Sequence, residues 1–266
     1  MISRSAMNDD KEKKQMKKFL LMLLALTLAC AAALAEPLPL SELSGVYCYP
    51  EDADEASARY VYRYAYPYVE AEDEVALTIN EFYAYLVDDA FGFAVPMAVE
   101  ALDPDSPMQA ITSITSEITC NDGQYLSVKI TNESLTGAAV SSVVSGQTFS
   151  LTGEKAGNVT SLPYLLGILE PGETDEWLLD RQTAKADELV RRLVWEVIQE
   201  QLASGEVDYY DDLTYDRLAA CFYPEEDFYM DGEGNLVFFV QESIIAPAAS
   251  GVFYFPFSME ELLDEI

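Results

Sequence analysis

Carboxylates are the only side chains this chain holds in quantity that could do acid–base or metal chemistry. Its 266 residues include 47 Asp and Glu against 15 Lys and Arg, and no histidine. Without histidine there is no Ser–His–Asp or Cys–His catalysis and no His-ligated zinc hydrolase. A Walker loop, a G-x-G-x-x-G turn and a convincing Ser-x-x-Lys pair are also missing. A carboxylate-pair hydrolase of the glycosidase kind is the one catalytic class left open, and so many acids supply such pairs by chance. Asp227, Asp231, Glu233 and Asn235 gather oxygens around Gly232. They lack the D-x-D-x-D-G spacing of a calcium loop and read instead as a turn. The chain is read as non-catalytic, with no cofactor and no metal.

Two groups of residues could bind a partner. The densest acidic–aromatic segments are residues 206–216 (EVDYYDDLTYD) and 224–227 (PEED). They supply Asp208, Tyr209, Tyr210, Asp211, Asp212, Glu225, Glu226 and Asp227 as a candidate face for a cationic protein. Earlier, residues 59–69 alternate strictly, so that Tyr60, Tyr62, Tyr64, Tyr66 and Tyr68 share one face of a strand. A tyrosine row can be a glycan platform, because rigid aromatics give contact area at low entropy cost. It can equally be a core wall with hydroxyls at the rim. The opposite parity (Val61, Arg63, Ala65, Pro67) offers less to bury, which favours the wall.

Two long helices and several strands must position these groups. Val75, Ile79, Phe82, Leu86, Ala90 and Phe93 recur at three and four, which predicts a helix over residues 74–95, bent or ended by Gly92 and Pro96. A second helix is predicted over residues 174–202, with Thr174 as N-cap, Asp175 and Glu176 favourable against the dipole, and Gly205 as the stop. Its Arg191 and Arg192 are expected to pair with Glu188 and Glu196. Strands over 111–120 and 124–132 flank Asn121-Asp122-Gly123, a hairpin signal, with Ile114 and Ile118 facing inward. Residues 138–151 read as one or two strands broken near Gly146.

The C-terminal stretch, residues 228–262, has a specific order. A hairpin forms around Asp231-Gly232-Glu233-Gly234-Asn235, and the chain leaves the sheet at Ile244-Ile245-Ala246-Pro247, where proline cannot donate to a ladder. Gly251 restarts it, and an aromatic strand over 252–257 runs into a short acidic helix. This order resembles the C-terminal module of a family of secreted bacterial domains of unknown function, one of which ends the ectodomain of the lysozyme-sensing anti-sigma-V factor. Thr78-Ile79-Asn80 in the first helix is similar to the N-terminal partner module of the same family, which also accompanies a bacterial peptidoglycan deacetylase. The resemblance implies binding without catalysis, and in the best-understood relative the ligand is lysozyme. The deacetylase metal site has no counterpart here, for want of histidine.

Met16-Lys17-Lys18, an apolar run and Ala33-Leu34-Ala35 read as a signal peptide with a mature start at Glu36. Membrane attachment would need that segment uncleaved or Cys30 lipidated. Residues 1–35 hold six basic and three acidic groups, which leaves nine basic against 44 acidic and a net charge near −35. Such a chain is no nucleic-acid binder, since phosphate contacts need a basic patch. A cationic, lysozyme-like protein or a cell-wall glycan is the expected partner, at the cell envelope or outside it. Cys48, Cys120 and Cys221 allow at most one intramolecular bridge, and Cys221 reads as a small buried hydrophobe. The expected fold class is α+β: antiparallel sheet or sheets packed by two long helices, in two modules sharing one core. The expected division is 1–35 extension and signal peptide, 36–144 N-terminal module and 145–266 C-terminal module.

Overall fold

Five strands form the larger sheet in sequence order: β1 (Leu40–Tyr49), β2 (Tyr60–Val69), β3 (Ala110–Asn121), β4 (Tyr125–Thr136) and β5 (Ala139–Ser150). The computed structural model describes residues 36–137, 139–170, 172–205 and 207–266; the expected signal segment lies outside them. All neighbours pair antiparallel except β2 and β3, which run parallel. A parallel pair needs a crossover. Here it is α1 (Glu74–Asp89), a π-helical turn (Ala90–Ala94) and α2 (Val95–Glu100). Asp73 caps α1 by accepting the Ala76 N–H. The Asn80 side chain then exchanges two hydrogen bonds with the Val69 backbone (2.8 and 3.0 Å), pinning the helix to the end of β2.

The crossover runs past its expected end. Pro96 must clash with the carbonyl four residues back, that of Gly92, and the π turn widens the ladder there. The extra residue shifts the helical phase. Ile79 and Tyr83 are fully buried upstream, but Val95 takes the inward position downstream, and Phe93 and Met97 turn outward at 68% and 69% exposure. Those two forgo most of the roughly 1.5–3 kcal/mol that burial of such a side chain contributes.

The hairpin at Asn121-Asp122-Gly123 is present, with the Asp122 carboxylate accepting the Gln124 and Tyr125 N–H groups (both 2.8 Å). A bulge between Ile118 and Cys120 corrects the expected facing. One extra residue reverses the alternation, so Cys120 no longer shares a face with Ile114 and is buried on the opposite side, while Ile118, still in register opposite Val128, lies exposed. β5 is also unbroken at Gly146. The glycine serves close approach: a Cβ there would lie 1.7 Å from the Phe228 carbonyl oxygen.

Phe228 opens the second sheet, an antiparallel β6 (Phe228–Met230), β7 (Leu236–Val240) and β8 (Phe253–Phe257). It lies on the back of β4 and β5. The Met230 N–H donates to the Ser127 hydroxyl (2.9 Å), which is itself bonded to Thr148 (2.8 Å). Among the described residues four α-helices complete this half: α3 (Leu162–Leu165), α4 (Glu176–Ser204), α5 (Tyr215–Cys221) and α6 (Met259–Asp264). Asp175, not Thr174, caps α4, because its carboxylate reaches the Leu178 N–H (3.1 Å); Gly205 ends the helix at φ 71°.

The buried side chains fall into two clusters. One joins the tyrosine strand, Ile79, Tyr83, Leu126, Val128 and Phe149 under α1. The other joins Ala186, Val190, Val194 and Ile198 of α4 with Leu218, Phe222, Leu236, Phe238 and Phe255. Cys120 belongs to the second, so the large sheet contributes a wall to both. The expected boundary between residues 144 and 145 falls inside β5.

Candidate binding interface

The first candidate face does not assemble as one surface. Asp208, Asp211, Asp212 and Glu226 are exposed. Tyr209 is buried in the α4 cluster, its ring 5.4 Å from Phe253 and its hydroxyl donating to Gln201, and burial pushes the phenol up to about 12. Tyr210 lies half-buried under the Arg217 guanidinium at 4.5 Å, and Arg217 also pairs with Asp212 (3.1 Å).

Glu225 and Asp227 turn inward. Pro224 is buried between α5 and β6, and the carboxylates beside it serve backbone donors that the turn leaves open. Glu225 accepts the Leu162 N–H at the start of α3 (2.9 Å). Asp227 accepts the Tyr223 N–H (3.0 Å) and the Gln241 amide (3.4 Å). Asp187 of α4 accepts the Glu225 N–H (2.9 Å) and pairs with Arg191 (3.2 Å). Burial, with Asp187 and Glu226 nearby, raises Glu225 to about 7 against the pull of the Leu162 N–H. Burial likewise raises Asp227 to about 6, against the Tyr223 N–H. The group ties α3, α4 and the 223–227 turn together.

The arginine pairs differ from expectation in the same region. Arg191 pairs with Asp187 and donates to the Phe222 carbonyl (3.0 Å), whereas Glu188 accepts from the Tyr215 hydroxyl (2.8 Å). Arg192 does pair with Glu196 (3.1 Å), and also reaches Glu265 (2.6 Å).

The tyrosine row is largely a core wall. Tyr60, Tyr62 and Tyr66 are buried, Tyr64 is half-buried and only Tyr68 is exposed. Tyr60 donates to Thr112 (3.1 Å) and Tyr66 stacks on Tyr83 at 5.4 Å. Phe91 of the π turn stands edge-on over Tyr47, Tyr62 and Tyr64 at 5.8, 5.8 and 6.3 Å. Rings held this way offer a glycan no continuous face.

Among the described residues no group of three or more His, Cys, Asp or Glu is placed to hold a metal ion. The Asp231 carboxylate accepts the Glu233 and Asn235 N–H groups (2.8 and 2.9 Å), as a turn requires. Cys48, Cys120 and Cys221 are all free thiols. Cys221 is exposed rather than buried, because Leu218 and Phe222 fill the inward positions beside it.

The charge that reaches solvent is predominantly acidic. Of the nine basic residues from Glu36 onward, Arg63, Lys129, Arg191, Arg192 and Arg217 are already in ion pairs. Among the described residues those pairs engage six carboxylates: Glu55, Glu117, Asp187, Glu196, Glu265 and Asp212. The rest of the surface therefore projects a strongly negative field. A groove of about 480 Å³ lies between the 153–161 turn and the start of α4, lined among others by Lys155, Asn158, Ser161, Tyr164, Glu170 and Glu173.

No protein-family model matches the chain, and no curated protein matches it by sequence. Two solved structures align with the chain. A DUF3298 family member from Bacteroides fragilis aligns at TM-score 0.50 and 16% identity, over 85% of this chain and 92% of its own. A DUF3298 family protein from Pseudomonas aeruginosa PAO1 aligns at TM-score 0.47 and 12% identity, over 86% of this chain and 94% of its own. At such identity the likeness speaks to fold alone: the chain has the α+β fold of a domain-of-unknown-function family, as seen in the Bacteroides fragilis structure.

Proposed function

We propose that the chain is an exported, non-catalytic binding protein that captures a cationic partner, a lysozyme-like enzyme or another cationic antibacterial protein. The observation that carries this reading is the surface charge: 44 acids against nine bases from Glu36 onward, with most of the bases already paired. A field of that size speeds encounter with a basic protein and disfavours acidic ones. The resemblance of residues 228–262 to the ectodomain of a lysozyme sensor supports the same class of partner. The test is calorimetric titration of the mature chain with lysozyme at low and near-physiological salt, with an equally basic unrelated protein as control. Saturable one-to-one binding that survives physiological salt and excludes the control is the expected result. Binding of both proteins that vanishes as the screening length falls to about 8 Å would be bare charge.

A glycan of the cell wall is the second reading, and the groove beside Tyr164 favours it over the tyrosine row. That groove is large enough for a small ligand and mixes one aromatic ring with carboxylate, amide and hydroxyl groups. Co-sedimentation with purified cell walls, lost in Tyr164→Ala, would support it; unchanged co-sedimentation would remove the groove from consideration.

A further inference from the structure

The crossover helix carries an apolar face that the fold does not cover. The crossover, Glu74–Glu100, is 27 residues long and apolar over much of its length, yet few of its residues are fully buried. Besides Phe93 and Met97, Tyr85 is 66% exposed, and Gly92, Ala94 and Pro96 beside them also face solvent. An exposed cluster of this kind marks an interaction site more often than a chance surface.

The exposure is built in by the backbone. Continued without interruption, the stripe of Ile79, Tyr83, Leu86 and Ala90 would bring Phe93 and Met97 inward. The π turn adds one residue to the phase, so Val95, Ala98 and Val99 pack inward instead. Phe91, set edge-on over three tyrosines, fixes the turn in place. Phe93 and Met97 stand one helical turn apart, side by side on the solvent face.

The charge around this face is predominantly acidic, with Arg59 as a basic neighbour at its far end, donating to the Asp103 carbonyl (2.5 Å). Glu81, Asp88, Asp89 and Glu100 are exposed on the same helix, and Asp103 and Asp105 follow it. No basic residue occurs between Arg63 and Lys129. A bilayer with anionic headgroups would be repelled, and a second copy would bring the same acids against these. We infer that the face formed by Tyr85, Phe93, Pro96 and Met97, with its acidic border, is a docking site for a cationic amphipathic helix. Apolar side chains of the partner would cover Phe93 and Met97 while its lysines or arginines meet Asp88, Asp89 and Glu100. The inference rests on the cationic-partner reading and assigns it a surface away from the expected 208–212 and 225–227 segments.

The test titrates the purified protein with a Leu/Lys peptide designed as an amphipathic helix, and with a peptide of the same composition scrambled to remove the apolar face. The wild type is expected to bind the amphipathic peptide at least tenfold more tightly at physiological salt. Phe93→Ser with Met97→Ser is expected to remove about tenfold of that affinity. Asp88→Asn with Asp89→Asn, which leaves the apolar face intact, is expected to lower it and to flatten its salt dependence. Equal binding of both peptides, unchanged in the Phe93/Met97 variant, overturns the docking site while leaving the charge reading intact. No binding of either peptide, together with none of lysozyme, overturns the charge reading as well. Light scattering that shows a wild-type dimer and a Phe93/Met97 monomer assigns the face to a second copy, and binding to anionic vesicles assigns it to a membrane. Either result overturns the proposal.

Discussion

The inward carboxyl of Glu225 should make stability fall as pH rises, and replacing it should remove part of that fall. Its ordinary value of 4.5 is raised to about 7, chiefly by burial. Between those values the native state holds a proton that the unfolded chain has lost. The stabilisation is therefore full below about 4.5 and is lost as pH climbs to about 7. At about 1.4 kcal/mol per tenfold, the span corresponds to roughly 3 kcal/mol. Part of the carboxyl reaches water, and screening reduces the expected effect to about 1.5 kcal/mol. Glu225→Gln keeps a carbonyl to accept the Leu162 N–H but cannot ionise. Urea unfolding at pH 5, 6, 7 and 8 should show the wild type losing stability more steeply than the variant. The two should lie within about 0.5 kcal/mol of each other at pH 5, with the variant ahead by about 1.5 kcal/mol at pH 8. General repulsion among the surface acids is nearly the same in both proteins and largely cancels in the difference. Parallel pH profiles would show that Glu225 is solvated like any surface carboxylate, and the buried cluster with Asp187 and Asp227 would lose its physical basis.

Two further outcomes test the packing. Gly146→Ala should cost about 3 kcal/mol or more in denaturant unfolding, since a methyl 1.7 Å from the Phe228 carbonyl forces β6 away from β5; a loss under 1 kcal/mol would mean the sheets are not in contact there. With a thiol reagent in native buffer, Cys221 should react promptly, whereas Cys120, buried and with its thiol pushed up to about 11, should react only on unfolding. Rapid modification of Cys120 would contradict the bulge that turns it into the core.

Local signals were legible in the residues. Asn121-Asp122-Gly123, the 231–235 turn and the Gly205 stop each act through their own backbone, so their geometry follows from a few neighbours. The departures depend on partners far away in sequence. Glu225 and Asp227 look like surface acids until Leu162, 63 positions from Glu225, is seen to supply an N–H that needs an acceptor. Ile118 and Cys120 carry no mark of the bulge between them, and Gly92 and Pro96 read only as a bend or an end, because nothing local announces a π turn. The tyrosine row was readable as a strand face, but its covering depended on Phe91 coming down from the crossover. For the candidate face, charge could not separate Asp208, Asp211, Asp212 and Glu226, which are exposed, from Glu225 and Asp227, which turn inward onto backbone donors.

The hydrogen bond from Met230 to Ser127 spans 103 positions, and it sets an order of events as the chain is made. By the time β5 leaves the ribosome, all five strands of the large sheet exist, but the rear face still shows the Ser127 hydroxyl of β4 and a glycine-floored gap at residue 146 of β5. Those sites are filled only after some eighty further residues, when β6 arrives. Until then the Ser127 and Thr148 hydroxyls and the unpaired rear face of the sheet have no partner strand. Completion of the rear face waits for roughly the last hundred residues of the chain. Truncation after β5 would therefore yield an aggregating fragment rather than a smaller working protein.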